Sequence, residues 1–359
     1  MTERLQRLRT ALAERDLPAI LLTAPASRRY ISGFTGSAGA LLISAEAALL
    51  LTDGRYVVQA AAEAPAFSLC EIRPPARPLP KLLAELTTEL GIGRLGFEAA
   101  AMTVAEYRQL TAALGNAVEL VATENIVEEL RMVKDSSEIA LLRKAVAITD
   151  AALAAVLPTL SPAMTEREAA WKIEVALHEL GAEGPSFPII VAAGRNSARP
   201  HHTPGEDQLG EGQPIIIDMG ARYSGYHADL TRTIVLGQAD DMFRAVYAAT
   251  LAAQQAAIQA LRPGLPWSEA DVVARRVIGE AGYADGIAHS LGHGVGLVIH
   301  EAPWLRMTAP DAPPSPPLQA GMVTSVEPGI YLPAWGGVRI EDLVLITADG
   351  CEVLSQSPR

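Results

Sequence analysis

Cysteine is scarce in this chain: Cys70 and Cys351 are the only two among 359 residues, and they lie far apart. Two such residues exclude a disulfide framework and a cysteine-based zinc array, and they fit a reducing compartment. There is no basic block either; the formal net charge is −12, from 29 Lys and Arg against 41 Asp and Glu. That balance argues against a phosphate backbone as partner and against an anionic membrane surface. No apolar run approaches the length of a membrane span. The N-terminal stretch MTERLQRLRTALAERDLPAI is charged and amphipathic, without the apolar core or cleavage site of a secretory signal. These absences together predict a cytoplasmic protein that binds neither nucleic acid nor membrane. Short-period repeats and low-complexity tracts are also missing; APDAPPSPP (309–317) reads as a proline-rich surface loop.

What is present is a large apolar fraction, 49% of residues, enough for a well-packed globular protein. The length exceeds one typical core, so two domains are expected. The boundary is placed in the charged segment ENIVEELRMVKD, giving domains 1–130 and 131–359. In the first, MTERLQRLRTALAERDL and KLLAELTTELG carry helical spacing, while PAILLTA, GALLISA and AALLLTD read as short buried strands. In the second, Asp135 with Glu138 and Thr165 with Glu168 look like capping boxes, and Ser268 with Asp271 like a weaker one. The helices expected there run through 136–157, 166–181, 240–261 and 269–282. Strand-like runs lie at 187–194, 213–236, 321–332 and 337–347. Strands spread between helices in this way suggest an antiparallel α+β arrangement rather than a doubly wound sheet.

Two motifs are decoys. GIGRLG (91–96) has the glycine spacing of a dinucleotide loop, but a helix precedes it and a strand follows, the reverse of what that loop needs. GFTGSAG has Thr35 where a nucleophile elbow needs glycine.

The chemistry lies in misplaced acids. Asp218 follows the apolar run PIII, and Asp229 lies across a turn at Ser224-Gly225. In a hairpin with the two facing, their carboxylates approach to about 5 Å, and a cation or a raised pKa must relieve the repulsion. Glu327 follows MVTSV, and Glu341 sits inside GVRIEDLVLI beside Arg339, an obvious salt-bridge partner. Carboxylates are rarely buried without partners, so four such acids outweigh chance. Three of the seven histidines, His289, His293 and His300, fall within HSLGHGVGLVIHEAP. Four carboxylates with one imidazole and no thiolate form a hard donor set, suited to Mn²⁺, Co²⁺ or Zn²⁺. Two divalent cations balance the four charges and leave room for a bridging hydroxide, the nucleophile of a two-metal hydrolase.

HSLGHGVGLVIHEAP, IDMGARYSGYHAD, VEPGIY and GVRIED resemble the signatures of the pita-bread metallopeptidases, the family of methionine aminopeptidase, prolidase and aminopeptidase P. The resemblance covers about residues 131–359. RRYISGFTGSAGALLIS and LLLTDGRYVVQA resemble the creatinase-type N-terminal domain of aminopeptidase P and its relatives, which methionine aminopeptidase lacks. The fold implied is a smaller α/β N-terminal domain followed by a pita-bread catalytic domain. The implied metal ligands are Asp218, Asp229, His293, Glu327 and Glu341, holding two divalent ions, Mn²⁺ first among them. His300 resembles a histidine that contacts the substrate peptide group, His289 one found in the proline-specific branch. His201, with His202 as its neighbour, resembles a histidine on the opposite wall. Tyr331 and Arg339 would support the ligands, and Glu327 would carry the proton to the leaving nitrogen. The resemblance implies an Xaa-Pro aminopeptidase acting on peptides with proline second, as a homodimer. An Xaa-Pro dipeptidase is the alternative, and a non-catalytic peptide-binding relative is a further one.

Overall fold

The computed structural model describes residues 3–309 and 311–359; Met1, Thr2 and Pro310, which the expected first helix and proline-rich loop included, lie outside them. The chain divides into two units, 1–131 and 132–359.

In the first unit the helix Glu3–Glu14 buries Leu5, Leu8, Ala11 and Leu12 along one stripe, as the 3.6-residue period requires. The three expected strands form at Ala19–Leu22, Ala40–Ser44 and Ala48–Asp53. They pair antiparallel in the middle of a six-stranded sheet whose remaining pairings are parallel. GIGRLG follows the helix Leu79–Glu89 and enters the strand Arg94–Glu98, so it holds no dinucleotide loop.

The second unit is α+β, and among the described residues all its strand pairs are antiparallel. Asp135–Glu138 and Thr165–Glu168 both close capping boxes, starting the helices Ser136–Val156 and Glu166–Glu179. Ser268 and Asp271 do not. Pro266 is the N-cap of Trp267–Glu280, and Asp271 instead holds Arg275 and the Met307 N–H. The first free N–H groups of that helix are taken instead by the neighbouring loop: the Trp267 N–H donates to Pro316 O at 3.1 Å and the Ser268 N–H to Ser315 Oγ at 2.9 Å.

Two helical pairs each cover one sheet face. Ser136–Val156 and Glu166–Glu179 share a core with Ile215, Ile217 and Met219 of the strand Ile215–Met219. Asp241–Ala260 and Trp267–Glu280 share another with Val326, Val344 and Ile346. Because strand side chains alternate, Ile216 and Asp218 point to the opposite face, away from the helices. The polar site is built on that uncovered side. Among the described residues no helix is long and apolar enough to cross a membrane.

Candidate metal centre

A turn sets the geometry of the two aspartates. Ser224 and Gly225 both take positive φ, 46° and 73°, the form that suits a two-residue hairpin. The turn pairs Tyr223 with Tyr226 and Arg222 with His227. The same register continues beyond the change of sheet, so Asp218 pairs with Thr231 and Met219 with Leu230. Asp218 and Asp229 therefore do not face each other directly, contrary to the hairpin expectation. Asp229 lies two residues before Thr231, on the same face. The carboxylates converge nonetheless: Asp218, Asp229 and Glu341 are buried and offer oxygens all within 4.8 Å of one another.

Glu341 sits between the strands Gly336–Arg339 and Asp342–Ile346, and its Oε2 accepts from Thr231 Oγ1 at 2.8 Å. Arg339 does not pair with it. The guanidinium donates to Asp218 Oδ2 at 2.6 Å, to Tyr331 Oη at 2.8 Å and to Thr231 Oγ1 at 3.1 Å. Thr231 thus bridges Arg339 and Glu341, and the arginine's fork is taken up by Asp218. Glu327 lies 3.3 Å from His293 Nε2, and Asp229 lies 3.6 Å from the same nitrogen. The five residues read as metal ligands therefore meet, the carboxylate trio joined to the His293–Glu327 pair through Asp229.

His300 packs against His293 with ring centroids 4.3 Å apart. His289 Nε2 lies 2.7 Å from Tyr331 Oη. His201, His289, His293 and His300 line one cavity of about 540 Å³ together with the four acids and Arg339. Tyr331 stands behind that wall, buried.

Burial governs the charge of these groups. Desolvation, then repulsion from Asp218, raises Asp229 well above the usual carboxylate range. Desolvation, then the charge of Asp229, does the same to Glu341. Asp218 is raised by burial, which outweighs the Arg339 charge. Burial also pushes Glu327 up, but the hydrogen bond and charge of His293 overcome it and carry the carboxyl down to about 2. Its partner behaves reciprocally: burial lowers His293, and Glu327 and Asp229 raise it to about 9. Desolvation lifts the Tyr331 hydroxyl to about 12.

This trio is a poor arrangement for a protein left to itself, since buried charges need partners. Asp218 Oδ1 and Glu341 Oε1 are buried and have no hydrogen-bond partner among the described residues. Unpartnered oxygens, three crowded carboxylates and an adjacent imidazole fit a divalent-cation centre. The sequence reading missed Thr231, which ties Glu341 to Arg339. It also missed the apolar wall of Phe187, Pro188, Ile190, Ile299 and Trp304. FPII signalled only a strand there.

Comparison with known proteins agrees with this geometry. Metallopeptidase family M24 matches residues 140–348, and the Creatinase/Prolidase N-terminal domain matches residues 4–133. An Xaa-Pro dipeptidase from Pyrococcus furiosus is 35% identical, covering 100% of this chain and 99% of its own. The solved structure of an Xaa-Pro dipeptidase from Bacillus anthracis superposes with a TM-score of 0.95 at 40% identity, covering 99% of this chain and 98% of that one. An X-Pro aminopeptidase from Thermotoga maritima superposes with a TM-score of 0.91 at 35% identity, covering 99% of both chains. The chain belongs to metallopeptidase family M24, with a creatinase/prolidase-type N-terminal domain ahead of the catalytic one.

Proposed function

We propose that this enzyme is a metal-dependent Xaa-Pro dipeptidase. The observation that carries the proposal is the buried Asp218–Asp229–Glu341 cluster, with unpartnered oxygens, in a cavity that also holds histidines and an apolar wall. Asp218, Asp229, His293, Glu327 and Glu341 would hold two divalent cations, Mn²⁺ foremost. Bound there, the ions would neutralise the carboxylates, acidify a water and polarise the scissile carbonyl.

The chain's own residues supply the rest. Burial, with the His293 charge, lowers the pKa of His300; its neutral ring would donate a hydrogen bond to the carbonyl oxygen as charge develops. Glu327, held ionised, would receive a proton and return it to the leaving proline nitrogen. Phe187, Pro188, Ile190, Ile299 and Trp304 would receive the pyrrolidine ring. Arg339 holds Asp218 in place and, through Tyr331, orients His289. A homodimer, on the family resemblance, and a cytoplasmic setting, on the scarce cysteines, belong to the same proposal.

Dipeptidase is preferred over the aminopeptidase P first expected because the Pyrococcus and Bacillus relatives carry the dipeptidase name. The Thermotoga structure and the TDGRY stretch support aminopeptidase P as a second reading. The test compares an Xaa-Pro dipeptide with an Xaa-Pro-Yaa tripeptide, after chelation and reloading with Mn²⁺. Faster turnover of the dipeptide is expected. Preference for the tripeptide establishes the aminopeptidase, and tight metal binding with neither substrate cleaved establishes a binding protein.

A further inference from the structure

Glu166 is the first residue of the helix Glu166–Glu179, a position where an acid usually faces water and complements the helix dipole. Here it is 0% exposed. Each oxygen is doubly used. Oε1 accepts from the Ala193 N–H at 2.8 Å and from Asn196 Nδ2 at 3.0 Å. Oε2 accepts from the Gly205 N–H at 3.0 Å and lies 2.7 Å from His202 Nε2. All four partners belong to the segment 193–205, which leaves the strand Ile190–Ala193 and has no strand of its own.

That segment is a wall of the cavity. Pro200, His201, His202 and Thr203 line it. Further ties hold it: the Arg167 N–H donates to Gly205 O at 3.1 Å, the Gly337 N–H donates to Ser197 Oγ at 2.7 Å, and Arg339 Nη1 approaches Pro200 O at 3.5 Å. His201 and His202 differ in kind. His202 is committed to Glu166, whereas His201 is exposed and makes no hydrogen bond among the described residues.

We propose that Glu166 is a positioning residue: its buried carboxylate latches the segment 193–205 through His202 and sets His201 against the substrate. The proposal rests on the Xaa-Pro peptidase reading and deepens it. After the short 3-10 helix Gly194–Ala198 the segment is irregular and has many conformations to lose, and one carboxylate with four partners restricts it at both ends. Glu166 touches neither the acids nor His293, so its loss falls on the wall and not on the metal ligands. A wall that holds substrate in ground and transition states alike affects KM more than kcat.

The experiment compares Glu166→Gln and Glu166→Asp with the parent enzyme, both loaded with Mn²⁺. In Glu166→Gln one acceptor oxygen becomes an NH2 donor, so the side chain can accept from the Ala193–Asn196 pair or from the His202–Gly205 pair but not from both. Hydrogen exchange in peptides covering 193–207 is expected to quicken about ten-fold or more, with metal content unchanged. KM for an Xaa-Pro dipeptide is expected to rise about ten-fold while kcat changes little. Glu166→Asp, which keeps the charge, is expected to recover part of the loss. Unchanged exchange in 193–207, or an unchanged KM, overturns the proposal. If Glu166→Gln does not fold, His202→Asn breaks the latch alone and is read by the same two measurements. If the parent enzyme cleaves no Xaa-Pro peptide, the functional reading fails, while the exchange experiment still decides whether Glu166 holds the wall.

Discussion

Thr231 shows how much one hydroxyl can organise. Its Oγ1 donates to Glu341 and accepts from Arg339 Nε, so it transmits the position of the arginine to a carboxylate of the centre. Thr231→Val keeps the shape and the strand preference and removes only that link. Its expected effect is a loss of Mn²⁺ affinity of about 10- to 100-fold, the range for groups that orient metal ligands. A competition titration against a chelator measures it, and unchanged affinity would show that Glu341 is held by packing alone. The residue also shows what a sequence can disclose. Asp218, Glu327 and Glu341 were legible because an acid behind PIII, MVTSV or within GVRIEDLVLI breaks the rule that charges stay wet. Thr231 breaks no rule, since threonine belongs in strands. Glu166 was hidden for the opposite reason: an acid in the first turn of a helix already has a sufficient explanation.

At the scale of the element, the hairpin arm controls how the aspartates approach. The Ser224-Gly225 turn fixes a register that places Gly220 across from Asp229 and Asp218 across from Thr231. A Cβ on Gly220 would stand 1.8 Å from Ala228 O. That obstacle is backbone and cannot rotate away, so the two arms would have to part. Gly220→Ala is therefore expected to cost about 1–3 kcal/mol of stability and to release metal, because Asp218 and Asp229 sit on either side of the contact. Urea titration of the metal-free protein gives the first quantity and elemental analysis the second. Full metal occupancy in the variant would mean that the arms tolerate separation. The elements themselves were readable: capping boxes marked two helix starts correctly, and apolar runs marked the strands. The register was not, because composition records that a turn exists and only the turn's geometry decides which residues meet.

For the molecule as a whole, the centre couples stability to pH and to metal. Without a cation, Asp218, Asp229 and Glu341 are raised by burial, and His293 stands at about 9 against an ordinary 6.5. A folded state whose groups are raised holds more protons than the unfolded chain, so its stability falls as pH rises. His227, His289 and His300 are lowered by burial and act in the opposite sense, but only below about 6.5, where the unfolded histidines take up protons. Between pH 6.5 and about 9 His293 keeps a proton that the unfolded chain has lost, and that excess proton removes about 1.4 kcal/mol per pH unit. Bound cations take the place of those protons, and binding to the native state alone adds stability in proportion to the affinity. The melting temperature of the chelated protein is thus expected to fall across this window while that of the Mn²⁺-loaded protein holds, so the gap between them widens with pH. Scanning calorimetry of both forms at pH 6.5, 7.5 and 8.5 measures that gap. A gap that stays constant would mean that His293 holds no excess proton in the metal-free fold, and that cation binding displaces none.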